Sequence, residues 1–218
     1  VVILSLLVSV ALGSGPVLPR ELILEEGLIR LASMVDTNDS VNGWIEWLSD
    51  YQFREQYDHD DYGWLSCILA LEAVNGGNFG IGCILTDGNG DVVIQGHNEV
   101  FNPYFRSDRH GEMVVMDAFE STYPEITCMD GYTLFTSLES CPMCMARLIT
   151  SGVDTILYLA PDSTGGMVHM IDNLPPVWIQ LASRQVWGAA ECSPELISAA
   201  DEIFLLNVAD RNDLLEAR

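Results

Sequence analysis

The sequence predicts an α/β layered fold with helices on both faces of a central sheet, and three observations carry that prediction. Helix-like and strand-like patterns alternate between residues 62 and 159. The turn Asp87-Gly88-Asn89-Gly90 joins the first two strand patterns, which makes them an antiparallel pair. At 218 residues the chain is long enough for one domain with a real core and short for two.

The elements follow in order. Residues 1–12 are apolar almost without a break, and Gly13, Ser14, Gly15 and Pro16 end the run. About a dozen residues is short for a membrane span and suits the core of a signal peptide. Residues 1–20 are therefore expected to be a leader or N-terminal apolar segment, with the protein periplasmic or secreted. A buried N-terminal helix is the alternative, and it would leave the protein cytoplasmic. Residues 21–58 read as a helical extension whose apolar side carries Trp44, Trp47, Tyr51 and Phe53, packed on the rest of the chain or covering its pocket. The remainder, 59–218, forms the main domain. Helical signal at 62–75 precedes strands at 81–86 and 91–97. A helix over 110–120 follows, with apolar residues at 113, 114, 116, 118 and 119. A strand at 132–138, a helix at 142–151 opened by Pro142, and a strand at 154–159 come next. Past Ala160 the pattern weakens: Pro175-Pro176 interrupts, 177–183 is a short helix and 193–205 a final one.

The chemistry lies in His110-Gly111-Glu112, followed 29 residues after Glu112 by Cys141-Pro142-Met143-Cys144. One imidazole and two thiolates hold a zinc ion while leaving its fourth position open to water. Both sets fall at predicted helix N-termini, where free N–H groups favour thiolate over thiol. Zinc held by one nitrogen and two sulfurs brings the pKa of bound water to about 7, and Glu112 is the right kind of group to move that water's protons. A redox pair would leave His110 and Glu112 unexplained. A structural zinc ribbon needs a second ligand pair, and Cys67, Cys83, Cys128 and Cys192 are isolated, as are His59, His97 and His169. Those four cysteines are compatible with disulfides in an oxidising compartment but lack a diagnostic spacing.

The H-x-E box followed by C-x-x-C is the signature of zinc-dependent base deaminases. The stretch from about Tyr62 to Tyr158 resembles the cytidine deaminase-like superfamily, on its branch of nucleobase and tRNA-adenosine deaminases. Asn78-Phe79-Gly80-Ile81-Gly82-Cys83-Ile84 resembles that branch's first strand, and Gly96-His97-Asn98 the element ending its second. Ser137-Leu138-Glu139-Ser140-Cys141-Pro142-Met143-Cys144 matches T-x-E-P-C-P-M-C except at Ser140, where the motif has proline. H-G-E and G-H-N are similar to fungal cytosine deaminase, whereas C-P-M-C is commoner in guanine and tRNA-adenosine deaminases.

The resemblance implies a three-layer α/β/α sandwich around a mixed five-stranded sheet, Zn2+ on His110, Cys141 and Cys144, and a homodimer. It also implies hydrolytic deamination through zinc-bound hydroxide, with Glu112 as proton shuttle. The Gly111 N–H and the Glu139 carbonyl then contact the substrate's oxo and amino groups, and the Asn98 side chain reads the ring's amide edge. Ser140 lacks proline's rigidity beside Cys141 but removes no ligand.

Net charge is −23, with nine arginines and no lysine. Polynucleotide binding relies on neutralising phosphates, so this field argues against tRNA or DNA, although Arg106 and Arg109 lie close to His110. A small neutral nucleobase or nucleoside suits the surface better. The expected activity is a zinc-dependent hydrolase acting on the C–N bond of a cyclic amidine, of guanine or cytosine type. The alternatives are a tRNA adenosine deaminase and a zinc-stabilised binding module without turnover.

Overall fold

The computed structural model describes residues 17–34 and 37–218, so the apolar run at 1–12 lies outside the described residues. Five strands form one sheet in the order β2-β1-β3-β4-β5: β1 (Gly82–Thr86), β2 (Val92–His97), β3 (Thr133–Leu138), β4 (Thr155–Ala160) and β5 (Val186–Ala189). β1 pairs antiparallel with both β2 and β3, while β3–β4 and β4–β5 are parallel, so the sheet is mixed as expected. The hairpin turn forms where the sequence placed it. The Asp87 carboxylate accepts from the Asn89 and Asp91 N–H groups, and Gly90 takes the left-handed conformation at φ 87°.

Strand alternation sorts the core into two layers. Ile84, Phe135 and Leu157 face one side, with α3 (Asp60–Asn75) and α7 (Pro194–Leu205), and Val92 joins them because β2 is bulged between Val92 and Ile94. Cys83, Leu85, Ile94, Leu134 and Ile156 face the other, with α4 (Gly111–Thr122) and Leu148 of α5 (Pro142–Ser151). Twelve of the sixteen residues of α3 are buried, because the helix is covered on nearly every side. It lies directly on β1: a Cβ at Gly82 would sit 2.1 Å from the Ser66 carbonyl oxygen and 2.5 Å from the Ala70 nitrogen.

The N-terminal extension covers the outer surface of α3. α1 (Ile23–Ser33) lays Gly27 against the Trp64 ring, and the carbonyl of Leu48 in α2 (Asp39–Asp50) accepts from Trp64 Nε1 at 2.8 Å. Buried Asp60 fastens the end of this extension to α7, accepting from Tyr51 Oη (2.6 Å), the Arg54 N–H (2.8 Å) and the Ser193 N–H (2.7 Å). The extension therefore lies on the face opposite α4 and α5.

Four elements are absent from the sequence reading. β5 is four residues with exposed ends, too short for a clear alternation. A 3-10 helix at Val168–Asn173 precedes α6 (Pro176–Ala182), and α8 (Val208–Glu216) has no buried residue, so neither gives a strong periodic signal. The fourth is a single 3-10 turn at Arg20–Leu22. All six cysteines are free, so the described residues contain no disulfide. Burial pushes the Cys192 thiol up to about 12 and raises those of Cys67 and Cys83 as well, which makes all three inert packing groups. No described helix is long and apolar enough to cross a membrane.

Candidate active site

Two helix starts converge behind the C-terminal end of β3. His110 is the N-cap of α4 and Cys141 the N-cap of α5, with Pro142 in the first turn, where its missing N–H costs nothing. His110 Nδ1 lies 3.5 Å from Cys141 Sγ, and the two cysteine sulfurs are 3.6 Å apart. Zinc–ligand bonds of about 2.0–2.1 Å to nitrogen and 2.3 Å to sulfur, set tetrahedrally, imply separations of about 3.6 Å and 3.8 Å. The three donors thus fit a tetrahedral zinc site, and no other group of three or more His, Cys, Asp or Glu side chains among the described residues clusters closely enough to hold a metal. The hydrogen bond with Cys144, and then His110, hold the Cys141 thiol down to about 4 against the opposing effect of burial. Burial tends to lower His110, but the neighbouring Cys141 sulfur outweighs it and the imidazole pKa is raised.

Glu112, in the first turn of α4, is buried at 3% exposure, which places a carboxyl group inside the site away from bulk water. Burial, followed by the charge of Cys141, raises its pKa. Gly111 lies against β1: a Cβ there would meet the Ile81 carbonyl oxygen at 3.4 Å and Cys83 Cβ at 3.5 Å. As the first residue of α4, Gly111 has an N–H with no intrahelical acceptor.

Asn98 immediately follows β2 and is fully buried. Its N–H donates to the Ile81 carbonyl at 2.9 Å, and its Oδ1 accepts from the Val100 N–H at 3.1 Å. The side-chain Nδ2 is buried and has no partner. An unmet buried donor costs about 1–3 kcal/mol, which a substrate acceptor would relieve.

Glu139 shows something the sequence did not reveal. Its carboxylate accepts from the Asp162 N–H (3.0 Å), the His169 N–H (2.8 Å) and His169 Nδ1 (2.8 Å), pinning the segment after β4. Burial works to raise its pKa, but these donors outweigh it and the carboxyl is lowered. His169 is thirty residues away and carries no motif, so no local signal could have paired the two. Ser140 is buried, and its carbonyl accepts from the Met167 N–H at 2.9 Å, so the loop is held without proline's rigidity.

Arg106 pairs with Asp108, and Arg109 with Glu99 and Asp117, so neither offers a free basic patch beside His110. Among nearby aromatics, Phe101 packs between Phe79 and Phe105, whereas Trp178 and Trp187 pack on Met145 and Ile149 of α5.

Comparison with known proteins agrees with this geometry. Residues 58–160 match the family described as the cytidine and deoxycytidylate deaminase zinc-binding region. A tRNA-specific adenosine deaminase of Bacillus subtilis (strain 168) is 32% identical over 105 residues, covering 48% of this chain and 63% of that protein. The match thus spans less than two thirds of that relative's length. A probable cytosine deaminase of Schizosaccharomyces pombe is 27% identical over 130 residues, 59% of this chain and 76% of that protein. The fold superposes on a guanine deaminase from Nitrosomonas europaea with TM-score 0.53 at 16% identity, over 72% of this chain and 90% of that one. Residues 58–160, which carry the clustered His110, Cys141 and Cys144, are thus similar to the cytidine and deoxycytidylate deaminase zinc-binding region.

Proposed function

We propose that this protein hydrolytically deaminates a free nucleobase or related small heterocycle of guanine or cytosine type. The observation that carries the proposal is the buried carboxyl of Glu112, two residues from a metal ligand and raised in pKa by burial and by Cys141. A carboxyl tuned upward takes and returns a proton near neutral pH better than an ordinary one. A site kept only for structure has no use for it.

When bound by His110, Cys141 and Cys144, zinc supplies the Lewis acidity that makes water nucleophilic near neutral pH. Glu112 accepts the proton of the attacking water, delivers it to a ring nitrogen, and helps protonate the departing ammonia. Asn98 offers its unpartnered Nδ2–H to the ring's amide edge, held in place by the bonds of its Oδ1 and main chain. The Gly111 N–H and the Glu139 carbonyl complete the cradle for the substrate's oxo and amino groups.

The surface favours a small substrate. Six of the nine arginines (Arg20, Arg30, Arg54, Arg106, Arg109 and Arg147) are engaged by carboxylates within the chain, so little basic charge is left for a phosphate backbone. Similarity to a tRNA-specific adenosine deaminase keeps one second reading in play, deamination of adenosine in RNA. Export directed by residues 1–20 and assembly as a homodimer belong to the same proposal. The mass of the exported protein and light scattering test them.

The deciding experiment measures ammonia release by the zinc-loaded protein from guanine, cytosine, adenine, isocytosine and their nucleosides, with Glu112→Ala as control. Turnover of one compound that vanishes in the variant supports the reading. Activity confined to an RNA hairpin and falling steeply with salt would replace it with the second. No ammonia from any compound, with zinc bound, would leave a non-catalytic zinc module.

A further inference from the structure

The loop between Asn98 and His110 leaves and re-enters the site at the same place. At its neck the Glu99 N–H donates to the Arg109 carbonyl at 2.9 Å, and the Arg106 N–H donates to the Val100 carbonyl at 2.7 Å. The side chains close the same neck. Arg109 reaches Glu99 Oε2 through Nη2 at 2.5 Å and Nε at 3.1 Å. Its Nη1 reaches Asp117 of α4 at 3.3 Å, and Arg147 of α5 joins that Asp117 at 3.3 Å and Glu120 at 2.7 Å.

We infer that Arg109 is a positioning residue, whose fork on Glu99 and Asp117 holds Asn98 in register with His110. The inference rests on the proposed substrate role of Asn98, while its metal-binding arm stands without it. Arg109 is the residue before the metal ligand, and Glu99 the residue after the proposed base reader. A pair between them fixes the separation of those two functional groups across a loop that has no helix or strand of its own. Asp117 carries the tie onto the helix that bears Glu112, and Arg147 carries it onto α5, which Cys141 caps and which bears Cys144. Four site segments thus meet in one charge network.

Its geometry differs from an ordinary surface pair. Arg109 and Glu99 are 19% and 24% exposed, against 43% and 49% for the neighbouring Arg106 and Asp108, which are only two residues apart and span nothing. A planar guanidinium engaged on two sides resists the reorientation that makes most exposed pairs weak. Lysine could not span both carboxylates with a rigid fork.

The test uses the full chain with Arg109→Gln, Glu99→Gln, the double variant, and Arg106→Gln as control. Two readings are taken: the affinity for Co2+, from its tetrahedral absorption bands, and kcat and KM on the base that the ammonia screen identifies. Arg109→Gln is expected to weaken Co2+ binding and raise KM by about two- to fivefold each, with a smaller change in kcat. The double variant should be no worse than Arg109→Gln, as for one coupled unit, and Arg106→Gln should match the native protein. Loss of folded protein would lower kcat per chain and leave KM unmoved, so the split separates positioning from mere stability. Native Co2+ affinity and native KM in Arg109→Gln overturn the inference, and so does simple addition of the two single effects. If the native protein deaminates no base, the proposed function fails. The cobalt arm then decides alone, and an unchanged affinity sinks the positioning role.

Discussion

Replacing Glu112 by glutamine separates what this side chain does for catalysis from what it costs the fold. Glutamine keeps the volume and can still accept or donate a hydrogen bond, but it cannot carry a proton between water, ring and ammonia. General acid–base transfer contributes about 10²–10⁴ in rate, equivalent to about 3–5 kcal/mol of barrier. The loss should sit at or above the upper end, because the same group serves several steps of the proposed mechanism. Zinc content should stay at one per chain, since His110, Cys141 and Cys144 are untouched.

Stability should move the other way in zinc-stripped protein. Glu112 is 3% exposed, and its pKa is raised by burial and by Cys141. A carboxyl whose folded pKa lies above its unfolded value of about 4.3 destabilises the fold at any pH above the folded pKa, and that penalty disappears below about 4.3. Glu112→Gln should therefore raise Tm at neutral pH and converge with the native protein in acid. Turnover is read by ammonia release and Tm by calorimetry across pH. Turnover above about a tenth of native, or a lower Tm at pH 7, would refute the shuttle and the burial argument respectively.

Other perturbations reach other parts of the argument. Gly82→Ala drives a methyl group to within 2.1 Å of the Ser66 carbonyl and should cost about 3 kcal/mol or more in urea unfolding; a near-native midpoint would show that α3 and β1 separate easily. Asn98→Ala should lower kcat/KM about tenfold, mainly through KM, with zinc retained, and an unchanged KM would remove Asn98 from substrate recognition. Glu139, lowered in pKa because its three N–H donors outweigh burial, contributes stability that is present above about pH 4.3 and lost as pH falls through its folded pKa. Glu139→Gln should accordingly lower the urea midpoint at pH 7 and flatten its decline in acid; parallel curves for the two proteins would show that the carboxylate anchors nothing.

The metal site was legible because its information is local. His110 and Glu112 stand two apart at one helix start, Cys141 and Cys144 three apart at another, and short spacings on a helix fix geometry before any tertiary contact forms. The first four strands were readable for a similar reason, since each is a short, largely apolar run within its own few residues and the Asp-Gly-Asn-Gly turn dictates an antiparallel pair. β5 and α8 left little trace, because a four-residue edge strand and a helix without buried residues depend on what they touch rather than on their own pattern. Asn98 was named as a substrate reader from a resemblance, but only the folded chain shows its Nδ2 buried without a partner. The Glu139–His169 anchor and the Glu99–Arg109–Asp117–Arg147 ties join residues from 8 to 30 positions apart. The sequence by itself determined which groups form the metal site and where the proposed proton shuttle stands. The tertiary structure decided how they are held in register, because contacts between distant segments carry no periodicity and arise only when the sheet brings its strand ends together.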